Sequence, residues 1–192
     1  MQQIKALVRL TLADPRGAAA ALLSTTPLRD LLLQLAAIVV IFGVILTWTT
    51  AVLIPGPSNP FVDALLGNPI LFAVIQLMTL MLSALAIFVV GRMFGGIGSF
   101  EQTLFIMIWL QFFMLLAQAL LVAVAIIAPT LAGLLNTASY VYFIWLMVNF
   151  IAVLHGFRSL WAVFAGLIAT MFALSFVILF VLGVIGLSVE GA

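Results

Sequence analysis

The sequence predicts an all-α integral membrane protein, with five transmembrane helices preceded by short interfacial N-terminal helices. Three observations predict it. Of 192 residues, 67% are apolar and 6% charged, against about 25% charged in soluble domains, which leaves too few polar side chains to cover a surface facing water. The apolar residues come in long unbroken runs, not in the alternating ten-residue segments of a membrane β-barrel, and in lipid only helices or closed barrels satisfy every backbone amide. Finally, all six lysines and arginines fall on one side of a five-span arrangement.

The first unit is residues 1–26, a cytoplasmic or interfacial amphipathic segment. Its opening, MQQIKALVRLTLADPR, is broken by Lys5, Arg9, Asp14 and Arg16, so it lacks the apolar core of a cleavable signal peptide. Ile4, Leu7, Val8 and Leu12 recur at helical spacing, with Lys5 and Arg9 on another face. Asp14-Pro15 reads as an N-cap followed by proline at the first helical position, opening a second short helix from Arg16 to Ser24. Such helices lie in the membrane interface, with their basic residues among anionic headgroups, or pack beneath the bundle.

The second unit is residues 27–192, a five-span helical bundle. A span needs about 20 apolar residues. The first runs from Leu31 to Leu53, with Thr26-Pro27 as its start and the IPGPSNP stretch, Ile54–Pro60, as its end. The second covers Pro69–Arg92, the third Phe100–Ala128, the fourth Asn136–His155 and the fifth Leu160–Leu187. Ser99 and Gln102 have capping-box spacing at the head of the third, and Glu101 adds a carboxylate to its first turn. Gly156-Phe157-Arg158-Ser159 makes a tight hairpin between the last two; a continuous helix would put Arg158 in hydrocarbon at a cost of about 2.5–3.5 kcal/mol or more.

Lys5, Arg9, Arg16 and Arg29 precede the first span, Arg92 follows the second, and Arg158 follows the fourth. The opposite loops, Ile54–Asn68 and Pro129–Leu135, hold no lysine or arginine. Basic loops stay cytoplasmic, so the N-terminus is inside and the C-terminus outside. Trp48, Tyr140, Tyr142, Trp145 and Trp161 cluster near span ends as an interfacial belt.

No Asp, Glu, Lys or Arg lies mid-span, which argues against a pump or an ion-coupled transporter. The expected sets of catalytic, cofactor-binding and metal-binding residues are all empty. There is no cysteine, and the single histidine, His155, reads as an interfacial histidine or one set against a helix C-terminal dipole. His155 with Ser159 is the sole base–nucleophile pair, and it lacks a third partner, so the chain is not expected to be an enzyme. Gly95-Gly96-Ile97-Gly98 has neither the strand nor the lysine of a nucleotide loop. What remains is neutral. Gln76, Gln111, Gln118 and Asn149 lie within spans and form either packing hydrogen bonds or a polar seam. Ala162, Gly166 and Thr170, with Ala165, Ala169 and Ala173, make two small-residue rows suited to helix–helix contact; Gly91 and Gly95 match the same spacing weakly.

The pattern resembles the Ypt-interacting-protein (Yip) domain family of five-span membrane proteins. The Asp14-Pro15 element, the stretch Gly95-Gly96-Ile97-Gly98-Ser99-Phe100-Glu101-Gln102-Thr103-Leu104, Trp109, and the hairpin at Gly156 carry the resemblance, from about Leu12 to Leu187. Gly95, Gly96, Gly98, Ser99 and Glu101 stand as the family's signature turn, with a structural role. Eukaryotic members look to small prenylated GTPases through a long polar N-terminal region. That region is missing here, so the resemblance is to the short prokaryotic version and implies no small-GTPase partner. It implies an integral protein of the bacterial cytoplasmic (inner) membrane, with a cytoplasmic N-terminus and a periplasmic C-terminus. The expected function is a non-enzymatic membrane scaffold, adaptor or accessory subunit that binds another membrane protein or itself, or shapes the bilayer. Its partners are then membrane lipids and protein, not nucleic acid. The alternative is a transporter, channel or scramblase for lipid or a small neutral molecule.

Overall fold

A computed structural model describes residues 2–54 and 59–184. The expected end of the fifth span at Leu187 and residues 55–58 of the first loop lie outside the described residues. Those described form helices, with no strand among them: α1 (Gln2–Ala13), α2 (Pro15–Leu23), α3 (Arg29–Leu53), α4 (Pro60–Leu66), α5 (Pro69–Met93), α6 (Phe100–Ile127), α7 (Pro129–His155) and α8 (Leu160–Val184). Four of them, α3, α5, α6 and α7, are long and apolar enough to cross a membrane. At about 1.5 Å per residue, their 25 to 28 residues exceed a hydrocarbon core of about 30 Å. The apolar stretch of α8, Leu160–Ala173, is shorter among the described residues.

One local rule sets several helix starts: an Asp or Asn accepts from the backbone of the first turn, and proline takes the first helical position, where its missing N–H costs nothing. Asp14 accepts from Gly17 N ahead of Pro15, at 3.0 Å. Asn68 accepts from Leu71 N ahead of Pro69, at 3.1 Å. Asn59 accepts from Val62 N ahead of Pro60, at 3.2 Å. This last pair opens α4 inside the stretch expected to be a loop between the first two spans. Ser99 and Gln102 form the reciprocal capping box that the sequence predicts at the head of α6.

Two boundaries differ from expectation. Thr26-Pro27 does not start the first span. The Thr26 hydroxyl bonds back to Leu23 O at 3.1 Å, closing α2, while α3 begins at Arg29 behind Leu28 with no side-chain cap. The fourth span starts at Pro129 rather than Asn136, so Pro129–Leu135 is helix and not loop. Proline at the first position ends α6 and starts α7 with almost no residues between them.

Helix α6 is the axis of the bundle. One side packs Leu104, Ile108 and Leu115 against Leu32, Ala36 and Val39 of α3 and Leu80 and Ala84 of α5. The other packs Ile106, Leu110 and Phe113 against Leu146 and Phe150 of α7 and Ala18, Ala19 and Leu22 of α2. Ala18 and Ala19 are fully buried; their small side chains let α2 lie close against the longer helices.

Candidate functional site

The N-terminal helices are fastened to the bundle by three hydrogen bonds. The Trp109 indole N–H of α6 donates to Thr11 Oγ1 at 3.1 Å, with both residues buried. The Tyr142 hydroxyl of α7 donates to Leu12 O at 3.1 Å. Arg16 Nε donates to Asn149 Oδ1 at 3.2 Å, and the amide nitrogen of Asn149 donates to Trp145 O at 2.8 Å. The first and third bonds give the buried Thr11, Trp109 and Asn149 side chains polar partners, while the Tyr142 bond is exposed. Lys5 and Arg9 remain exposed on the outer face of α1.

The same end of the bundle holds a glycine cradle. Helix α5 ends in a Schellman turn: Gly95 takes φ +82° and Gly96 N donates to Gly91 O at 2.8 Å. Helix α7 ends in a second, with Gly156 at φ +71° and Phe157 N donating to Ala152 O at 2.8 Å. Ile97 N donates to His155 O at 3.3 Å and sews the two ends together. The His155 imidazole then fills the space that side chains on Gly91 and Gly96 would take, while Leu154 lies where a Gly98 side chain would go. His155 is buried in the last turn of α7, stacked on Phe157, and neither ring nitrogen has a protein hydrogen-bond partner.

The signature turn therefore has a structural reading residue by residue. Gly96 and Gly98 allow close approach of α7, and Gly95 supplies the left-handed turn with nothing near it. Ser99 caps α6, and Glu101 sits exposed in its first turn. Of Gly91 and Gly95, the first admits His155 of α7 against α5 and the second ends α5.

The four neutral polar residues are not drawn together; no hydrogen bond joins any two of them. Asn149 serves the N-terminal clasp. Gln118 Nε2 reaches Thr50 Oγ1 of α3 at 3.4 Å. Gln76 Oε1 is buried without a partner, and a Cβ on Gly43 of α3 would come within 2.8 Å of it. Gln111 is half-buried on α6. Gln118 also lines a groove of about 550 Å³ between α3, α6 and α7, together with Thr47, Thr50, Asn136, Ser139 and Tyr140, at the end away from the glycine cradle.

The small residues of α8 also face a groove, of about 680 Å³, between α8, α5 and α7. Ala162, Ala165, Gly166, Ala169 and Thr170 line it with Ile87 and Gly91. Ala173 is exposed further along the helix. Among the described residues, nothing lies within 4 Å of where a Gly166 side chain would begin.

Sequence reasoning missed Thr11, Trp109, Tyr142 and Arg16 as a set, because their partners lie 98 to 133 residues away. The available signal was chemical: an indole N–H and an amide within apolar helices each need a partner. Among the described residues no group of His, Asp and Glu is placed to hold a metal ion.

A family model described as the Yip1 domain matches residues 9–183. No curated protein and no solved structure matches the chain.

Proposed function

The chain belongs to the Yip1 domain family, and from that premise we propose that it is a non-enzymatic membrane scaffold that holds another membrane protein, or a second copy of itself, against a fixed platform at the cytoplasmic surface. The observation that carries this is the clasp. Thr11, Leu12 and Arg16 bind α6 and α7, so α1 and α2 form a set surface and not a loose tail. Lys5, Arg9, Ile4 and Leu12 are exposed on it, a basic and apolar mixture suited to headgroups and to a juxtamembrane partner.

In this reading the protein has five spans, α3, α5, α6, α7 and α8, and α1 and α2 lie at the interface of the bacterial inner membrane. The N-terminus is cytoplasmic and the C-terminus periplasmic. Placement of every lysine and arginine at one end supports that topology. The Arg16–Asn149 bond and the joined ends of α5 and α7 are consistent with it.

The test uses the absence of native cysteine. Lys5→Cys carries a photo-crosslinker in the full chain in native membranes. One discrete crosslinked protein species, lost in Trp109→Phe/Asn149→Leu, supports the platform. Crosslinks to lipid alone would sink the protein-partner reading.

A second reading has its own observation. The groove lined by Thr47, Gln118, Asn136 and Tyr140 gathers polar groups at the end of the bundle away from the glycine cradle, which favours passage of lipid headgroups or small neutral molecules. A fluorescent-lipid flip assay in liposomes decides it, and a rate equal to empty vesicles removes it.

A further inference from the structure

We propose that the groove between α5 and α8 is a binding site for a single anionic phospholipid, one acyl chain lying along the small residues of α8 and the phosphate held at Arg158. This goes beyond the scaffold reading and stands or falls without it.

The argument begins with shape. Along Ala162, Gly166 and Ala169 the helix offers almost no side chain, and no residue of α5 or α7 fills the space at Gly166. In a soluble protein such a trench would hold water. Beside hydrocarbon it is filled by something apolar, because an empty gap forfeits dispersion contacts on every wall.

Charge then selects the occupant. Arg158 lines the same groove at its loop end, is exposed, and has no acidic partner among the described residues. Beside it begins α8, whose N-terminal dipole adds positive potential. The Ser159 hydroxyl accepts from Ala162 N at 3.2 Å, so its own O–H is a neutral donor beside the charged arginine fork. Trp161, 82% exposed on the next turn, is the residue type that anchors at headgroup depth. An apolar trench that ends at an unpaired guanidinium at that depth matches a lipid phosphate with its acyl chain, and matches a neutral lipid or an uncharged partner helix poorly. Arginine also suits phosphate geometrically, since its planar fork bonds two oxygens at once.

The experiment is native mass spectrometry of the purified full chain, titrated with phosphatidylglycerol or with phosphatidylcholine of the same acyl chains. The wild type is expected to retain one phosphatidylglycerol about fivefold more tightly than phosphatidylcholine, the discrimination a single arginine gives near a membrane surface. Arg158→Gln, in an exposed loop, should abolish that preference. Gly166→Leu projects into open space, so it should fold and weaken both lipids; Ala169→Leu serves as a second groove-filling variant. Equal retention of the two lipids by the wild type, or an unchanged preference in Arg158→Gln, overturns the proposal. So does unaltered binding in both groove-filling variants, or a second polypeptide that Gly166→Leu displaces in place of lipid.

Discussion

The His155 ring occupies the volume that a side chain on Gly91 would need. The two residues belong to different spans, so glycine in one helix and histidine in the other form a single packing decision. Gly91→Ala should therefore destabilise the protein by about 1–3 kcal/mol through overpacking. His155→Ala alone costs a similar amount by leaving a cavity, and the double variant should recover much of the loss. Thermal unfolding in detergent across this double-mutant cycle checks it; strict additivity would show that the contact is not shared.

Gly95 tests a different physical term. Nothing surrounds it, but φ is +82°, so Gly95→Ala should cost about 1–2 kcal/mol from the left-handed backbone alone. Gly95→Asn should cost less, since Asn tolerates that region. Equal losses for the two would place the cost in packing instead.

Trp109→Phe keeps the ring but loses the N–H that donates to Thr11. The expected global loss is small, about 0.5–1.5 kcal/mol, and concentrated at α1. Hydrogen exchange should show faster exchange within residues 2–13 and unchanged protection in α6. Uniform loosening of both helices would count against the clasp.

Gln76→Leu should be neutral or stabilising by up to about 1 kcal/mol, since it removes a buried oxygen that has no hydrogen-bond partner. Gly43→Leu, which drives a side chain into Gln76, should destabilise. Thermal melts of both variants decide it, and a large loss in Gln76→Leu would reveal a partner for that amide.

Topology is testable directly. Alkaline phosphatase fused after Ala192 should be active and GFP in the same place dark. The reverse pattern would overturn the five-span proposal.

The long helices and α2 were legible because apolar runs, the Asp14-Pro15 start and a capping box are written in adjacent residues, whereas α4 behind Asn59-Pro60 lies in a stretch that reads as loop. Ser99-Gln102 and Asp14-Pro15 could be read at sight. The start of α7 at Pro129 was not, since alanine and threonine beside a proline resemble a loop when the loop's other end is unknown. The roles of His155 and Asn149 were hidden for another reason. Each depends on a residue dozens of positions away, Gly91 for one and Arg16 for the other, and hydropathy carries no information about which turn of one span meets which turn of another.

The clasp also imposes an order of events. Its N-terminal members, Thr11, Leu12 and Arg16, leave the ribosome first, while Tyr142 and Asn149 are synthesised about 130 residues later. During that interval α1 and α2 have only part of their seat, and their buried alanine face has no α7 to meet. The clasp is thus completed only once α7 is in place. A chain truncated before α7 would leave the α7-facing side of Ala18, Ala19 and Leu22 uncovered.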